Sequence, residues 1–337
     1  MLLDDYFQIY LPIIEDQLKA AVSTIDKPYL AELRYMLQYH MGWEGEGAGP
    51  DARGKRIRPI LVLLTTMAAG GEWQNALPAT CAVELIHNFS LIHDDIEDNS
   101  PLRRGRPTIW KKWGVAHATN AGDAMFTLAH IEIFRLIKIL PSETVIKAAE
   151  LLQRTCLHLT QGQYLDLAYE QRSDLTAIDY WPMISGKTGA LLAACTELGS
   201  MIALVSDPIC QAYRQFGYSL GLAFQAQDDF LGIWGDSALT GKSTENDLVT
   251  GKKTLPIVYG LSKQGKFFQR WSEGPITPTE TIGVAHILSE EGAKEYVLSQ
   301  VSQLTAEAIH ALEAANPAGE AAVILRQLAE RLLTRQS

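Results

Sequence analysis

Cysteine is scarce in this chain, with four in 337 residues, at Cys81, Cys156, Cys195 and Cys210. No Cys-x-x-Cys pair occurs and the surroundings are mostly apolar, which excludes a disulfide frame or zinc ribbon and predicts reduced core thiols. Long apolar runs are absent too: nothing reaches the roughly 18 residues of a transmembrane span. The start, Met1-Leu2-Leu3-Asp4-Asp5, lacks the basic and apolar regions of a signal peptide. These absences predict a cytoplasmic chain with no transmembrane segment. Basic residues are outnumbered, 29 against 39 acidic ones, for a net charge of −10. Such a chain repels phosphate backbones and anionic lipid, so nucleic acid is not an expected partner, and any phosphate ligand needs local basic clusters. Alternating strand patterns, internal repeats and linkers are also missing, which predicts one domain over 1–337.

What is present is helical periodicity. With 47% hydrophobic residues the chain can bury a large core. Apolar positions recur three and four apart over 4–22, 28–42, 57–70, 73–98, 115–139, 142–172, 177–204, 208–234, 253–263, 290–315 and 318–335. Short connections between long helices predict an all-α bundle. The irregular segments are 43–55, 99–108, 235–252 and 264–282, and three of these hold or border the basic clusters.

The densest chemistry is Asp94-Asp95-Ile96-Glu97-Asp98, at the end of the apolar run Val83 to Ile92. On a helix Asp94 and Asp98 lie one turn apart and about 40° around, so their charges repel. A helix C-terminus adds to the cost. A compensating cation is implied, and Mg²⁺ suits, since it uses one or two carboxylates plus substrate phosphates. Taken alone, the stretch also reads as a solvated acidic helix end. A second pair, Asp228-Asp229, closes another apolar helical run, with Asp236 beyond it. Carboxylates from two helices directed at one cavity are a recurring way to build a multi-metal site in a bundle. The basic residues cluster beside glycines: Gly54-Lys55-Arg56-Ile57-Arg58-Pro59, Arg103-Arg104-Gly105-Arg106-Pro107-Thr108 and Gly251-Lys252-Lys253, with Lys187-Thr188-Gly189 and Gly241-Lys242 adding single lysines. Arginine forks and lysine point charges together suit two diphosphates.

These motifs in this order, with Phe224-Gln225-Ala226-Gln227-Asp228-Asp229 and Asp247-Leu248 between them, resemble the trans-polyprenyl diphosphate synthase family, geranylgeranyl type, over residues 54–256. The resemblance implies an all-helical isoprenoid-synthase bundle with a central apolar cavity. It also implies a homodimer that condenses isopentenyl diphosphate with an allylic diphosphate head to tail. By the same resemblance, Asp94, Asp98 and Asp228 hold Mg²⁺, three ions with substrate bound, with Mn²⁺ as a substitute. Arg103, Lys187 and Lys242 grip the allylic diphosphate, with Lys252 at the cavity mouth. Thr188 and Gln225 lie beside the reacting carbons, and Lys55, Arg58, His87 and Arg104 hold the diphosphate of isopentenyl diphosphate. Helix geometry puts His87 on nearly the same face as Asp94, about 10 Å deeper. Gln161, Gln163 and Asp166 match a further stretch bordering the cavity. Such chemistry needs no Ser, Cys or His nucleophile, because fixed cations stabilise the leaving diphosphate and the released pyrophosphate takes the proton. Water must be kept out, or the allylic cation is quenched.

The second motif departs from the family's Asp-Asp-x-x-Asp, because its last position is Gly232. Activity with altered metal dependence is expected. The first motif also reads Asp-x-x-Glu-Asp, as in head-to-head squalene or phytoene synthases, but a matching second motif is missing. A non-catalytic synthase subunit is the rival of another class, favoured by Gly232 and opposed by the retained Asp94, Asp98 and Asp228. Product length is read from Phe89 and Ser90, five and four residues before Asp94. One aromatic there with no insertion resembles enzymes with a C20 product, and C15 or longer products are the alternatives. Ideal geometry puts Phe89 about 140° around from Asp94, so packing between helices is its other reading.

Overall fold

The computed structural model describes residues 2–170, 172–235 and 247–333. Its helices are α1 (Leu3–Ser23), α2 (Ala31–His40), α3 (Pro50–Arg53), α4 (Ile57–Ala68), α5 (Leu77–Glu97), α6 (Ile109–Trp113), α7 (Val115–Phe134), α8 (Ser142–Tyr169), α9 (Ala177–Ile184), α10 (Ala190–Ile202) and α11 (Asp207–Trp234). They continue as α12 (Asp247–Thr250), α13 (Leu255–Lys263), α14 (Lys266–Ser272), α15 (Thr281–Glu290), α16 (Ala293–Ala314) and α17 (Gly319–Leu333). The all-α expectation holds. The strands among the described residues are β1 (Leu102–Arg103) and β2 (Arg106–Pro107), an antiparallel pair with Arg103 opposite Arg106.

The differences from the periodicity are local. The predicted helix 177–204 is interrupted by a π-helical turn at Ser185–Gly189, and 290–315 breaks at Gly292, whose φ of +86° is left-handed. The predicted starts at 28 and 73 are 3-10 turns, Pro28–Leu30 and Trp73–Ala76, and the end of 115–139 is another, Arg135–Lys138. The short helices α3, α12 and α14 lie in segments read as irregular, and α6 and most of α15 lie between the predicted helices.

Two compact units divide the chain: Met1–Arg154 with Cys195–Cys210 and Pro317–Leu325, and Thr155–Ala194 with Gln211–Asn316 and Arg326–Ser337. In the first unit α5 packs along α7 and against α4 and α1. Its apolar faces, among them Val83, Leu85, Ile86 and Ile92, are buried, and burial of this kind contributes roughly 25 cal/mol per Å² of apolar surface. The α4 backbone meets α10 directly, because Gly199 has no side chain: a Cβ there would stand 2.7 Å from the Val62 carbonyl oxygen. In the second unit Ile233, Leu248, Ile257, Leu261, Phe267 and Leu288 form a cluster that gathers α11, α12, α13, α14 and α15. No described helix is long and apolar enough to cross a membrane.

Candidate active site

In the first unit the acidic motif ends α5. Asp94 lies in its last turn, Asp98 is the C-cap residue with φ −80°, and Asp95 is buried. The hairpin that follows turns through Arg104 and Gly105, both at positive φ, +52° and +72°. That is the two-residue turn that matches strand twist, and it is why a glycine stands inside the basic cluster. The hairpin folds Arg103 back, so that its Nε donates to Asp95 Oδ1 at 2.8 Å. Burial pushes the Asp95 carboxyl up to about 6, against the pull of Arg103. Arg104 lies over Gly54: a Cβ on that glycine would stand 2.6 Å from the guanidinium, whose Nη1 donates to the Ala52 carbonyl at 2.9 Å. A cleft here is lined by His40, Asp95, Arg103, Arg104 and Arg106 among others.

Not every arginine of the basic clusters is available to a ligand. Arg56, with φ +48° before α4, is 3% exposed and donates to Glu15 and Glu84, each at 2.8 Å, and to the Met41 carbonyl. Arg106 donates to the carbonyls of Tyr39, Glu44 and Glu46, tying down the loop after α2. Lys55 is exposed, whereas Arg58 and His87 are partly buried, and the Arg58 Nε has no hydrogen-bond partner. Burial lowers the His87 imidazole well below its ordinary value, and Arg58, Arg104, Arg103 and Arg56 lower it further. His87 is therefore neutral near pH 7 and offers a hydrogen bond instead of a charge. Phe89 stands edge-on to Phe126 of α7, ring centroids 5.1 Å apart, and to His93 at 5.0 Å. The Ser90 hydroxyl donates to the His87 carbonyl of its own helix at 2.8 Å.

In the second unit two close backbone crossings build the site. Gly162 of α8 lies against the π-helical turn, where a Cβ would stand 2.8 Å from Gly186 Cα. Gly221 of α11 lies against the same turn, 3.0 Å from Gly189 Cα by the same measure. A π turn widens the helix locally, a distortion that recurs at functional sites. It carries Lys187, which pairs with Asp166, and Thr188, whose hydroxyl donates to Gln225 Oε1 at 2.9 Å. Gln225 Nε2 donates to Asp229 Oδ1 at 2.9 Å, one helical turn on. Asp229 Oδ2 accepts from the Tyr180 hydroxyl at 2.6 Å and the Leu255 N–H at 2.9 Å. This carboxyl is 4% exposed, and burial pushes it up to about 7 against those donors. Asp228, beside it, is partly buried, and Lys252 is exposed.

The residues of the sequence reading thus fall into two groups. Lys55, Arg58, His87, Phe89, Ser90, Asp94, Asp98, Arg103 and Arg104 belong to the first unit, and Asp166, Lys187, Thr188, Gln225, Asp228 and Lys252 to the second. Gln163 is partly buried on α8, near Gly162, while Gln161 is exposed. Asp236, Gly241 and Lys242 lie outside the described residues. Tyr180 and Phe126 were not singled out from the sequence. A tyrosine seven residues before Lys187 carries a recognisable signal, since a buried hydroxyl needs a partner. Cys156 and Cys195 are both pushed up to about 12 by burial, which leaves them as inert thiols.

The donor set fits a hard divalent cation. Among the described residues no three His, Cys, Asp or Glu side chains converge to hold a metal ion. The carboxylates come in ones and twos, the arrangement for a hard cation that completes its shell with water and substrate phosphates.

Comparison with known proteins gives one answer. A model of the polyprenyl synthetase family matches residues 49–273. The chain is 40% identical over 252 residues to a geranylgeranyl diphosphate synthase of Mycobacterium tuberculosis, covering 74% of this chain and 70% of that protein. It is 35% identical over 315 residues to a (2E,6E)-farnesyl diphosphate synthase of the same organism, covering 90% and 87%. The solved polyprenyl synthetase of Streptomyces coelicolor superposes with a TM-score of 0.86 at 32% identity, over 98% of each chain. A polyprenyl synthase of Caulobacter crescentus, solved with calcium and isoprenyl diphosphate, does so with 0.81 at 28% identity, over 99% and 98%. The family uses divalent metal ions. With its helical architecture, its two carboxylate motifs and its glycine-flanked basic clusters, the chain belongs to the polyprenyl synthetase family and is a polyprenyl diphosphate synthase, a prenyltransferase.

Proposed function

We propose that the enzyme extends allylic diphosphates with isopentenyl diphosphate and stops at C20, geranylgeranyl diphosphate. The observation that carries the length is Phe89, one turn and a little more before Asp94 and braced edge-on by Phe126, with the small Ser90 beside it. A ring held on two sides makes a firm floor for a growing tail. The relative named as a geranylgeranyl diphosphate synthase supports the same length. The relative named as a farnesyl diphosphate synthase aligns over more of the chain and favours C15 as the second reading.

In this reading Asp94, Asp98 and Asp228 hold the Mg²⁺, with Mn²⁺ as a substitute, that offsets charge on the leaving diphosphate. Arg103, Lys187 and Lys242 orient that diphosphate, with Lys252 at the mouth. Lys55, Arg58, Arg104 and neutral His87 bind isopentenyl diphosphate. The Thr188 hydroxyl and the Gln225 amide supply dipoles beside the allylic carbons, where developing positive charge is steadied without a nucleophile. The whole chain acts as one synthase domain in the cytoplasm, paired with a second copy. Exposed Ile131, Phe134, Ile137, Ile139 and Ile146, close together along the chain, support the pairing, since exposed apolar side chains favour a cover.

The test is incubation with isopentenyl diphosphate, Mg²⁺ and, separately, C5, C10 and C15 allylic diphosphates, followed by mass analysis of the dephosphorylated products. A C20 alcohol is expected from each primer. A C15 limit selects the second reading.

A further inference from the structure

Arg103, Arg104 and Arg106 crowd one hairpin, and each answers to a different support. Arg103 and Arg106 are paired directly across β1 and β2, where like charges repel. Arg103 is drawn to Asp95 of α5. Arg106 serves the loop between α2 and α3, and all three of its nitrogens are engaged: Nε donates to the Glu46 carbonyl at 2.9 Å, Nη1 to that of Tyr39 at 2.8 Å and Nη2 to that of Glu44 at 2.7 Å. The guanidinium also lies over the Tyr39 ring, 4.0 Å from its centroid, and the Tyr39 hydroxyl donates to the Pro107 carbonyl at 2.8 Å. Loop and hairpin are fastened in both directions. The loop leads in turn to the support of Arg104. Gly42 packs on the backbone of Ala52 and Arg53, where a Cβ would stand 2.6 Å from the Ala52 carbonyl carbon. Gly49 N–H closes onto the Gly42 carbonyl at 3.1 Å, and Arg53 N–H onto that of Gly49 at 3.1 Å. With four residues, α3 is too short to hold its own position, and the loop sets it. Its Ala52 carbonyl accepts from Arg104, whose guanidinium covers Gly54.

We propose that Arg106 is a positioning residue for isopentenyl diphosphate: its guanidinium braces the 41–49 loop, the loop sets α3, and α3 holds Arg104 where the diphosphate is bound. This rests on the reading above, in which Arg104 serves isopentenyl diphosphate and Arg103 the allylic diphosphate. It makes the two neighbours unequal. Arg103 is placed by α5 through Asp95 and Arg104 by the loop, so loosening the loop weakens one substrate and spares the other. Lysine cannot take over the role, because an ammonium is a point charge and does not reach three carbonyls arranged around a planar fork. The root of the loop has its own ties, Arg56 to the Met41 carbonyl and the Trp43 indole N–H to Glu15. Loss of Arg106 therefore frees the tip and the entry to α3 while α1, α2 and α4 stay joined.

The test is steady-state kinetics on the full-length enzyme with Mg²⁺, each substrate varied in turn, for wild type, Arg106→Lys, Arg106→Gln and Tyr39→Phe, with melting followed in parallel. Both Arg106 variants should raise KM for isopentenyl diphosphate about tenfold, the size of one charge-assisted hydrogen bond, and leave kcat and the allylic KM within about twofold. Tyr39→Phe removes one hydroxyl and should raise the same KM about threefold, as loss of a neutral hydrogen bond does. A cycle with Arg104→Ala separates a brace from a ligand: with Arg104 gone, Arg106→Gln should add no more than about twofold. A wild-type KM for isopentenyl diphosphate in folded Arg106→Lys overturns the proposal, since charge without the fork then suffices. So does an equal rise in the allylic KM, which means that the whole hairpin fails, and so does full additivity with Arg104→Ala. If no Arg106 variant folds, an unchanged KM in Tyr39→Phe overturns it. Prenyl products from a wild type whose variants show no such split leave the reaction standing without this inference. If wild type makes no prenyl product, calorimetric titration with isopentenyl diphosphate reads the same shifts, and absence of binding there overturns the reading and the inference together.

Discussion

Asp95 and Asp229 occupy the same place in their motifs, one residue after Asp94 and Asp228, and both are buried, but different partners hold them. Asp95 faces a cation, Arg103, which is itself partly open to solvent. Asp229 accepts from neutral donors, Tyr180, Gln225 and the Leu255 N–H. The first arrangement is adjustable: a guanidinium that reaches solvent while its carboxylate is buried can turn to an arriving phosphate. The second is rigid. Its three donors tie α9, α11 and α13 together, and through Gln225 they fix Thr188 on the π-helical turn. One acidic motif holds a solvent-reaching cation, and the other anchors the framework on which dipoles are aimed.

The largest effects separate the first aspartates from the second. Asp94→Ala and Asp228→Ala should each lower kcat by about 10²–10³, as loss of a preorganised electrostatic group does, with little change in melting. Single-turnover product assays check this. Asp229→Ala should instead act on stability. It leaves the buried Tyr180 hydroxyl and Leu255 N–H unpaired, at about 3 kcal/mol by the cost of buried unsatisfied donors. Asp95→Ala releases a solvent-reachable arginine and should cost about 1 kcal/mol at most. Denaturant midpoints compare the two, and equal losses would erase the distinction between the anchored and the adjustable motif.

Acid and alkali should act oppositely on the buried carboxyls and the buried imidazoles. The Asp229 carboxyl titrates near 7 when folded, against 3.8 ordinarily. Its protonated form therefore contributes stability that is complete below about pH 4 and is lost as pH rises through about 7. Asp95, near 6, behaves likewise over a narrower window. His87 and His40 run the other way. Burial holds both well below 6.5, with arginines adding to the shift. Their neutral forms contribute stability present above pH 6.5 and lost as pH falls below it. Relative to Asp229→Asn, wild type should lose stability between pH 4 and 8. Relative to His87→Gln, it should lose stability on acidification below 6.5. Denaturant midpoints across that range measure both slopes.

Much of this was legible in the residues and some was not, for physical reasons. Helical periodicity, the glycine-flanked basic clusters and the carboxylate motifs depend on short-range spacing, which is visible along the chain. The β1–β2 hairpin went unread because two-residue strands carry no alternation, although Arg104-Gly105 is a recognisable turn pair. The π turn at Ser185–Gly189 was read as plain helix, since it keeps the apolar period on both sides. Arg56 and Arg106 stand in the basic clusters without a role assigned from the sequence. Only the fold reveals that Glu15 and Glu84 engage one and three loop carbonyls the other. Tyr180 with Asp229, and Asp247 with Gly232, are contacts 49 residues apart in the first case and 15 apart in the second, and no local pattern encodes them.

The smallest expected effect leaves the rate and the fold in place and changes only what is made. Phe89 and Phe126 brace each other edge-on between α5 and α7, and the Phe126 ring leans in turn on His130, centroids 4.4 Å apart. If Phe89 is the floor, Phe126 is its support, and truncating either should let the tail descend by about one five-carbon unit. A side chain shortened to alanine opens a space that an apolar tail can occupy, and because both rings are only partly buried the truncation costs less than the roughly 3–5 kcal/mol of a fully buried Phe→Ala change. Phe89→Ala should therefore make products longer than C20. Phe126→Ala should make a mixture in which C20 remains, because Phe89 then loses its brace but not its bulk. Product masses from the two variants and their double distinguish a floor from ordinary packing. Lengthening in Phe89→Ala that Phe126→Ala does not share would place the floor in the Phe89 ring alone. An unchanged product in both would move it down α5, toward Ile86 or Ala82, buried residues on the same helix.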